Sequence, residues 1–269
     1  MCSVVILRRP GHVWPLLLAG NRDELRGRPS RPPARHWPDR PEVVAGLDLE
    51  ADGSWLGVND HGVVATVLNR TGTLGPAPGR RSRGELVLEA LDHAEASAAA
   101  GALADLHPDA YRPFNLIVAD PKDCYWLRHG GDGEIRVHPV PPGLHMLTAA
   151  ELNDPAEPRI ARFLPAFRAA AVPEPAPDGG DWQAWTALLG QRADDTAGPA
   201  ERRAAMNLDG IAVAGADYGT VASSLVAIPA YPGFDALPLF LHADGPPDRV
   251  AYRQVDIGPA EPPQAGANA

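Results

Sequence analysis

MCSVVILRRPGHVWPLLLAGNRDEL, residues 1–25, holds two apolar runs separated by a turn and closed by a polar tetrapeptide. Ser3 to Leu7 is the first run, Pro10-Gly11 supplies the turn, and Val13 to Ala19 runs back. Apolar residues fill both runs with almost no alternation. Such a pattern predicts strands covered on both faces, so this hairpin is expected inside a layered core. Asn21, Arg22, Asp23 and Glu24 follow directly and stand at the end of the returning strand, close to Cys2.

The same short-strand pattern recurs outward from this hairpin. Trp55–Val58 and Val63–Leu68 flank the turn residues 59–62. Phe114–Ala119 and Cys124–Leu127 flank residues 120–123. Ile135–His138, His145–Leu147, Ile211–Ala214, Val221–Ile228, Leu239–His242 and Arg249–Val255 are further expected strands. Helices are fewer. Ser82 and Glu85 have the spacing of a capping box, with Ser82 expected as N-cap. Arg159–Ala171 carries Ile160, Phe163, Leu164 and Phe167 on one face, and Asp181 is expected to cap a helix ending at Leu189. Residues 172–180 are expected as a loop, and Pro229–Pro238 as an insertion between strands. The expectation is one α+β domain over residues 1–257 and a disordered tail over 258–269.

Composition narrows the function. The 269 residues carry 24 Lys+Arg against 34 Asp+Glu, a formal charge of −10. That balance argues against a nucleic-acid or anionic-membrane partner. No apolar run approaches the ~20 residues of a membrane span, and the basic residues follow the first apolar run instead of preceding it, so a cytoplasmic protein is expected. Cys2 and Cys124, the two cysteines, make neither a disulfide framework nor a zinc spacing. Neither a metal nor a cofactor is expected, the partner is expected to be a small molecule, and oligomeric state is not legible.

Cys2 is the first chemical candidate. With Met1 removed, its α-amine could accept the thiol proton, which puts nucleophile and base on one residue. A carboxylate among Asn21–Glu24 could hold that amine, and Arg22 could lower the thiol pKa. Arg80, Arg81 and Arg83 precede a helix start, where positive charge and free N–H groups could hold a phosphate or carboxylate; a solvated basic loop is the preferred reading.

MCSVV, LLLAGNRDELRGRPS (residues 16–30), GSWLGVNDHGVVATVLNR (53–70), RRSRGELV (80–87) and FNLIVAD (114–120) together resemble the NRDE family, that of transport and Golgi organisation protein 2. The resemblance implies the four-layer αββα sandwich of the N-terminal nucleophile hydrolases, whose choloylglycine and penicillin V acylases cleave amides with an N-terminal cysteine. It implies Cys2 as nucleophile. The arginine and aspartate of those acylases fall at Asn21–Glu24: Arg22 with Asp23 keeps the residue types, Asn21 with Glu24 keeps the spacing. Asn69 matches the strand-terminal oxyanion donor. Thr148-Ala149 stands where the acylases carry an Asn after Thr or Ser, with Asn153 four residues on, and Val221 stands where an arginine follows Tyr-Gly-Thr. The family also implies haem as a possible ligand, and the rival reading is a non-catalytic cytosolic carrier of haem or a lipid-type ligand on the same fold, with Cys2, or His138, His145 and Met146 close together in sequence, as candidate haem ligands.

Overall fold

The computed structural model describes residues 2–213, 215–230 and 237–258. The chain begins with β1 (Ser3–Arg8), β2 (Leu16–Leu25), β3 (Ser30–Ala34), β4 (Val43–Asp48), β5 (Leu56–Asn59) and β6 (Val64–Asn69). Helices α1 (Gly84–Leu91) and α2 (Ala96–Ala104) follow, then β7 (Phe114–Ala119), β8 (Cys124–His129), β9 (Ile135–Pro139) and β10 (Gly143–Leu147). The remainder is α3 (Pro158–Ala169), α4 (Gln183–Leu189), α5 (Pro199–Arg203), β11 (Ile211–Val213), β12 (Ala216–Ile228), β13 (Leu239–Ala243) and β14 (Arg253–Gln254).

Two antiparallel sheets result. One has the order β10-β1-β2-β12-β13-β14, with β11 also on β12; the other runs β3-β4-β5-β6-β7-β8-β9. Alternate residues of β1 and β2 explain the layering, because successive side chains point to opposite faces. Val4, Ile6, Leu16 and Leu18 pack against Val44, Leu56, Val58, Val64 and Leu68 of the second sheet. Val5, Leu7, Leu17 and Ala19 pack outward against Ile160, Phe163, Phe167 and Trp185 of α3 and α4. On the far side, Val43, Ala45, Val63 and Ala65 pack against Leu86, Leu91, Ala99 and Leu103 of α1 and α2. The layers are therefore helices, sheet, sheet, helices: the αββα sandwich.

Several elements differ from the sequence reading. β3 and β4 were not expected. β3 is an edge strand carrying Pro32 and Pro33, which have no N–H for a ladder. α1 starts one residue later than the capping box implies: Arg83 is the N-cap, Ser82 Oγ accepts from Gly84 N at 3.1 Å, and Glu85 pairs with Arg81. α2 forms in the Ala-rich stretch 96–104, whose apolar residues pack on the second sheet. α3 is capped by Glu157, which accepts from Ile160 N at 2.8 Å. Asp181 accepts from Gln183 N at 2.8 Å at the start of α4. Ala214, most of the expected insertion at 229–238 and the tail beyond Gly258 lie outside the described residues. No described helix is long and apolar enough to cross a membrane.

His242 on β13 is buried, with Nδ1 2.9 Å from Ser224 Oγ. Burial, with the Arg22 charge adding, pushes its imidazole from the usual 6.5 down to about 4. Above pH 6.5 the ring is neutral in both folded and unfolded chains. Below it the unfolded chain takes a proton that the folded one resists, so stability is lost as pH falls from about 6.5 to about 4. The expected loss is about 3 kcal/mol. Denaturant unfolding across that window is expected to show a shallower pH slope for His242→Leu than for the natural chain, and equal slopes would refute the assignment.

Candidate functional site

The two sheets part at the end where β1 begins and β2 finishes. Ser3 pairs with Asn21, which sets Cys2 beside Arg22 one step outward. Cys2, Arg22, Glu24 and Asn69 line one cleft of about 260 Å³. Asn21 and Asp23, on the alternate face of β2, sit under the α3–α4 layer instead. Asn21 Nδ2 donates to Leu189 O at 3.0 Å and Met206 O at 2.9 Å, and so ties β2 to the helical layer. The Asp23 carboxylate accepts from Arg159 Nη1 at 2.9 Å and from Thr220 Oγ1 at 2.7 Å. Both members of that ion pair are fully buried, with side-chain exposures of 1% and 0%. Of the two pairings left open by the sequence, neither Arg22 with Asp23 nor Asn21 with Glu24 shares a face; Arg22 and Glu24 do.

The Cys2 thiol donates to the main-chain oxygen of Asp23 at 3.6 Å. Tyr218 Oη donates to the same oxygen at 2.7 Å. Burial pushes the Cys2 thiol above its ordinary value, and the Asp23 carboxylate adds to the rise. The expected lowering by Arg22 is thus reversed in the net, because desolvation of a thiolate dominates at this depth. Arg22 is itself engaged elsewhere. Its guanidinium donates to Ser30 Oγ at 2.8 Å and Asp48 Oδ2 at 3.2 Å, and lies 4.0 Å above the Trp55 ring. Trp55 in turn lies on Gly46, where a Cβ would come within 2.3 Å of ring carbons. Glycine is required there by contact alone. Glu24 Oε1 accepts from Leu25 N at 2.8 Å.

Asn69 closes β6, and among the described residues its side chain has no hydrogen-bond partner, unlike Asn21. Ala149 offers only its main chain: its carbonyl accepts from Thr71 N at 3.2 Å. Asn153, in the left-handed region at φ 59°, uses Oδ1 for Met146 N and places Nδ2 2.8 Å from His145 Nδ1. It does not line the cleft with Cys2. His145 Nε2 lies 3.0 Å from Pro141 O, so both ring nitrogens are engaged, and burial lowers its pKa. Met146 is sealed under α3 on the opposite face of β10. Val221 lies at the bulge between Thr220 and Ala222.

The largest departure concerns the basic loop. Arg80, Arg81 and Arg83 line the cleft together with Arg112. Arg83 is turned inward, and burial, with Arg112 adding, lowers its pKa to about 10. The sequence signal for Arg83 was the run at 80–83; nothing local marked Arg112. Asn115 was also missed. Its Nδ2 donates to Thr148 O at 2.9 Å and Ala150 O at 2.8 Å, and its Oδ1 accepts from Arg70 and Trp126, so it joins β7 to the chain leaving β10. No group of three or more His, Cys, Asp or Glu among the described residues is arranged to hold a metal ion.

Both cysteines are unpaired. Burial pushes Cys124 up to about 12, and its side chain is sealed in the inter-sheet core. Cys2 borders the cleft. Iodoacetamide under native conditions is therefore expected to modify Cys2 at least tenfold faster than Cys124, with a rate still rising above pH 8 because its thiol is raised. Equal rates, or a plateau below pH 8, would contradict this geometry.

Residues 1–230 match the sequence profile of the family described as Transport and Golgi organisation 2. The mouse Transport and Golgi organization 2 homolog is 34% identical over 155 residues, which is 54% of this chain and 54% of that protein. The bovine homolog is 35% identical over 162 residues, with the same coverage of each. The chain thus spans about half the length of the curated relatives it matches. Among solved structures, a variant of the conjugated bile acid hydrolase from Clostridium perfringens has a TM-score of 0.53 at 11% identity, covering 97% of this chain and 95% of that one. A Caenorhabditis elegans ortholog of N-acylethanolamine-hydrolyzing acid amidase gives 0.47 at 14%, covering 87% and 94%.

Proposed function

Because the chain belongs to the Transport and Golgi organisation 2 family and has the layered fold of the N-terminal nucleophile hydrolases, we propose that it hydrolyses an amide or thioester of a small molecule through Cys2. The observation that carries this reading is that Cys2 and an Asn69 side chain with no other described partner line one cleft. The similarity to a bile acid hydrolase supports the fold on which such chemistry is run; it does not supply the substrate.

The steps follow from the residues. Removal of Met1 exposes the Cys2 α-amine, whose ordinary pKa is ~7.7–8.0. The neutral amine takes the thiol proton, and Sγ bonds to the acyl carbon. Asn69 Nδ2 donates to the oxygen that gains charge. The C–N or C–S bond of the substrate then breaks, and the leaving group takes its proton from the ammonium. Water attacks the thioester, releasing a carboxylic acid and restoring the thiol. Glu24 borders the same cleft and is the carboxylate we assign to hold the amine. The raised thiol pKa and the thiol's bond to Asp23 O support a resting state that needs the amine as base at each turnover. Unpaired cysteines suit a reducing compartment, and we place the activity in the cytosol.

Intact-mass measurement of the purified protein is expected to show loss of Met1. A β-lactone or activated-amide probe is then expected to add one equivalent of mass to the processed chain and none to Cys2→Ala. Asn69→Ala is expected to slow that addition, by up to the order of 10²–10³ seen on removal of one oxyanion donor. Processed protein that traps no member of a broad probe panel would end the hydrolase reading.

A further inference from the structure

We propose that the arm of the cleft formed by Arg83 and Arg112 binds an anionic group, a carboxylate or a phosphate, carried by the molecule whose acyl carbon meets Cys2. The inference rests on the hydrolase reading for that acyl carbon, and on the cleft itself for the anion.

The charge of the cleft is opposite to that of the chain. A protein of net charge −10 lines this cavity with six arginines and two carboxylates. Most of those arginines are neutralised. Asp48 holds Arg28 through two bonds at 2.6 and 3.0 Å and also meets Arg22, and Glu50 adds a second carboxylate to Arg28. Arg81 pairs with Glu85 and Glu89, and Arg80 reaches Asp109 at 3.5 Å.

Arg83 and Arg112 are different. Among the described residues neither makes an ion pair. Arg83 Nη1 donates to Thr73 Oγ1 at 2.9 Å and Pro113 O at 3.1 Å, and Nη2 reaches Gly75 O at 3.4 Å. Arg112 Nη1 donates to the carbonyls of Leu74, Gly75 and Pro76 at 2.8–3.1 Å. These oxygens satisfy N–H groups and leave the charge uncompensated. Two guanidiniums share the Gly75 carbonyl in a partly buried wall with no carboxylate paired to either among the described residues, and bringing two uncompensated cations this close costs free energy. An anion entering the cleft offsets that cost and meets the N–H groups that these bonds, with Arg112 Nη2 to Gly72 O at 3.3 Å, leave over on two planar guanidiniums held in place by the loop. Cys2 lines the same cavity, so a molecule seated by its anionic end presents its other end to the thiol.

The test uses two alkylating reagents of one size. Iodoacetate and iodoacetamide each form the same Sγ–C bond, expel iodide and release the thiol proton to solvent, but only the first carries a carboxylate. Cys124→Ser leaves Cys2 as the one thiol. The rate ratio of iodoacetate to iodoacetamide, divided by the same ratio for N-acetylcysteine amide, is expected to be about tenfold, at the low end of electrostatic focusing in charged clefts. It should fall toward one in 1 M salt and in Arg83→Gln and Arg112→Gln, and persist in Arg83→Lys. A normalised ratio near one in the natural cleft would overturn the proposal, as would glutamine variants that fold normally and keep the full ratio. Where a glutamine variant fails to fold, protection of Cys2 in the natural protein decides. Millimolar inorganic phosphate or succinate is expected to slow iodoacetamide labelling, the more effective of the two naming the anion, and no protection by either would refute the site. None of these readouts needs turnover. A cleft that selects anions but traps no acyl probe would sink the hydrolase reading and leave this one standing.

Discussion

Asp23 joins three parts of the molecule that are far apart in sequence, and the site depends on where it holds them. Its main-chain oxygen receives the Cys2 thiol and the Tyr218 hydroxyl, while its carboxylate receives Arg159 from α3 and Thr220 from β12. Strand β1, strand β12 and the outer helical layer are therefore registered against one residue of β2. Two fully buried charges meet there. Removing one partner of such a pair typically costs about 3–5 kcal/mol, because the other charge stays desolvated. Geometry around Cys2 is thus fixed from the helix side of the sheet, while the cleft lined by Cys2, Arg22 and Glu24 opens on the opposite side.

That division explains what was legible in the sequence and what was not. The buried hairpin, most later strands and helices α3 and α4 could be read from apolar runs and polar residues at helix starts, whereas α5 was not expected. The orientation of Asn21–Glu24 could not. In an amphipathic strand, alternating polarity tells the two faces apart. Here Val4 and Val5, or Leu17 and Leu18, are equally apolar because both faces are covered, so the phase of the alternation left no trace. The register Ser3 to Asn21 decides it, and register is a property of pairing. β3 was hidden for another reason: Pro32 and Pro33 contradict a strand unless it lies at an edge, and edge position is tertiary information.

Arg83 and Arg112 show the same limit from the side of charge. A basic run before a helix reads as solvated, since lone arginines are mostly exposed. What turns Arg83 inward is Thr73 and the carbonyls of Gly75 and Pro113, and Pro113 lies 30 residues away. Arg112 reaches the same 72–76 segment from beyond α2. Neither contact has a local signature. The motif resemblance singled out Cys2 and Asn69, which line one cleft, but carried no sign of the charge of that cleft.

The raised thiol and the cationic cleft are compatible once their geometry is separated. A positive field lowers a thiol pKa when it acts across a desolvated gap, yet Arg22, the guanidinium beside Cys2, is already paired with Asp48 and stacked on Trp55. The uncompensated charges belong to Arg83 and Arg112, which are bound into the loop wall. The cleft therefore puts its positive charge where a ligand can meet it, while burial holds the Cys2 thiol above its ordinary value. A neutral resting thiol is slow toward stray electrophiles and oxidants, since both react through the thiolate. On the proposed reading, activation requires a base placed beside the sulfur together with a molecule seated by its anionic end. On the proposed hydrolase reading, selectivity comes from the loop wall and nucleophilicity from the strand end, and Asp23 keeps that strand end in register.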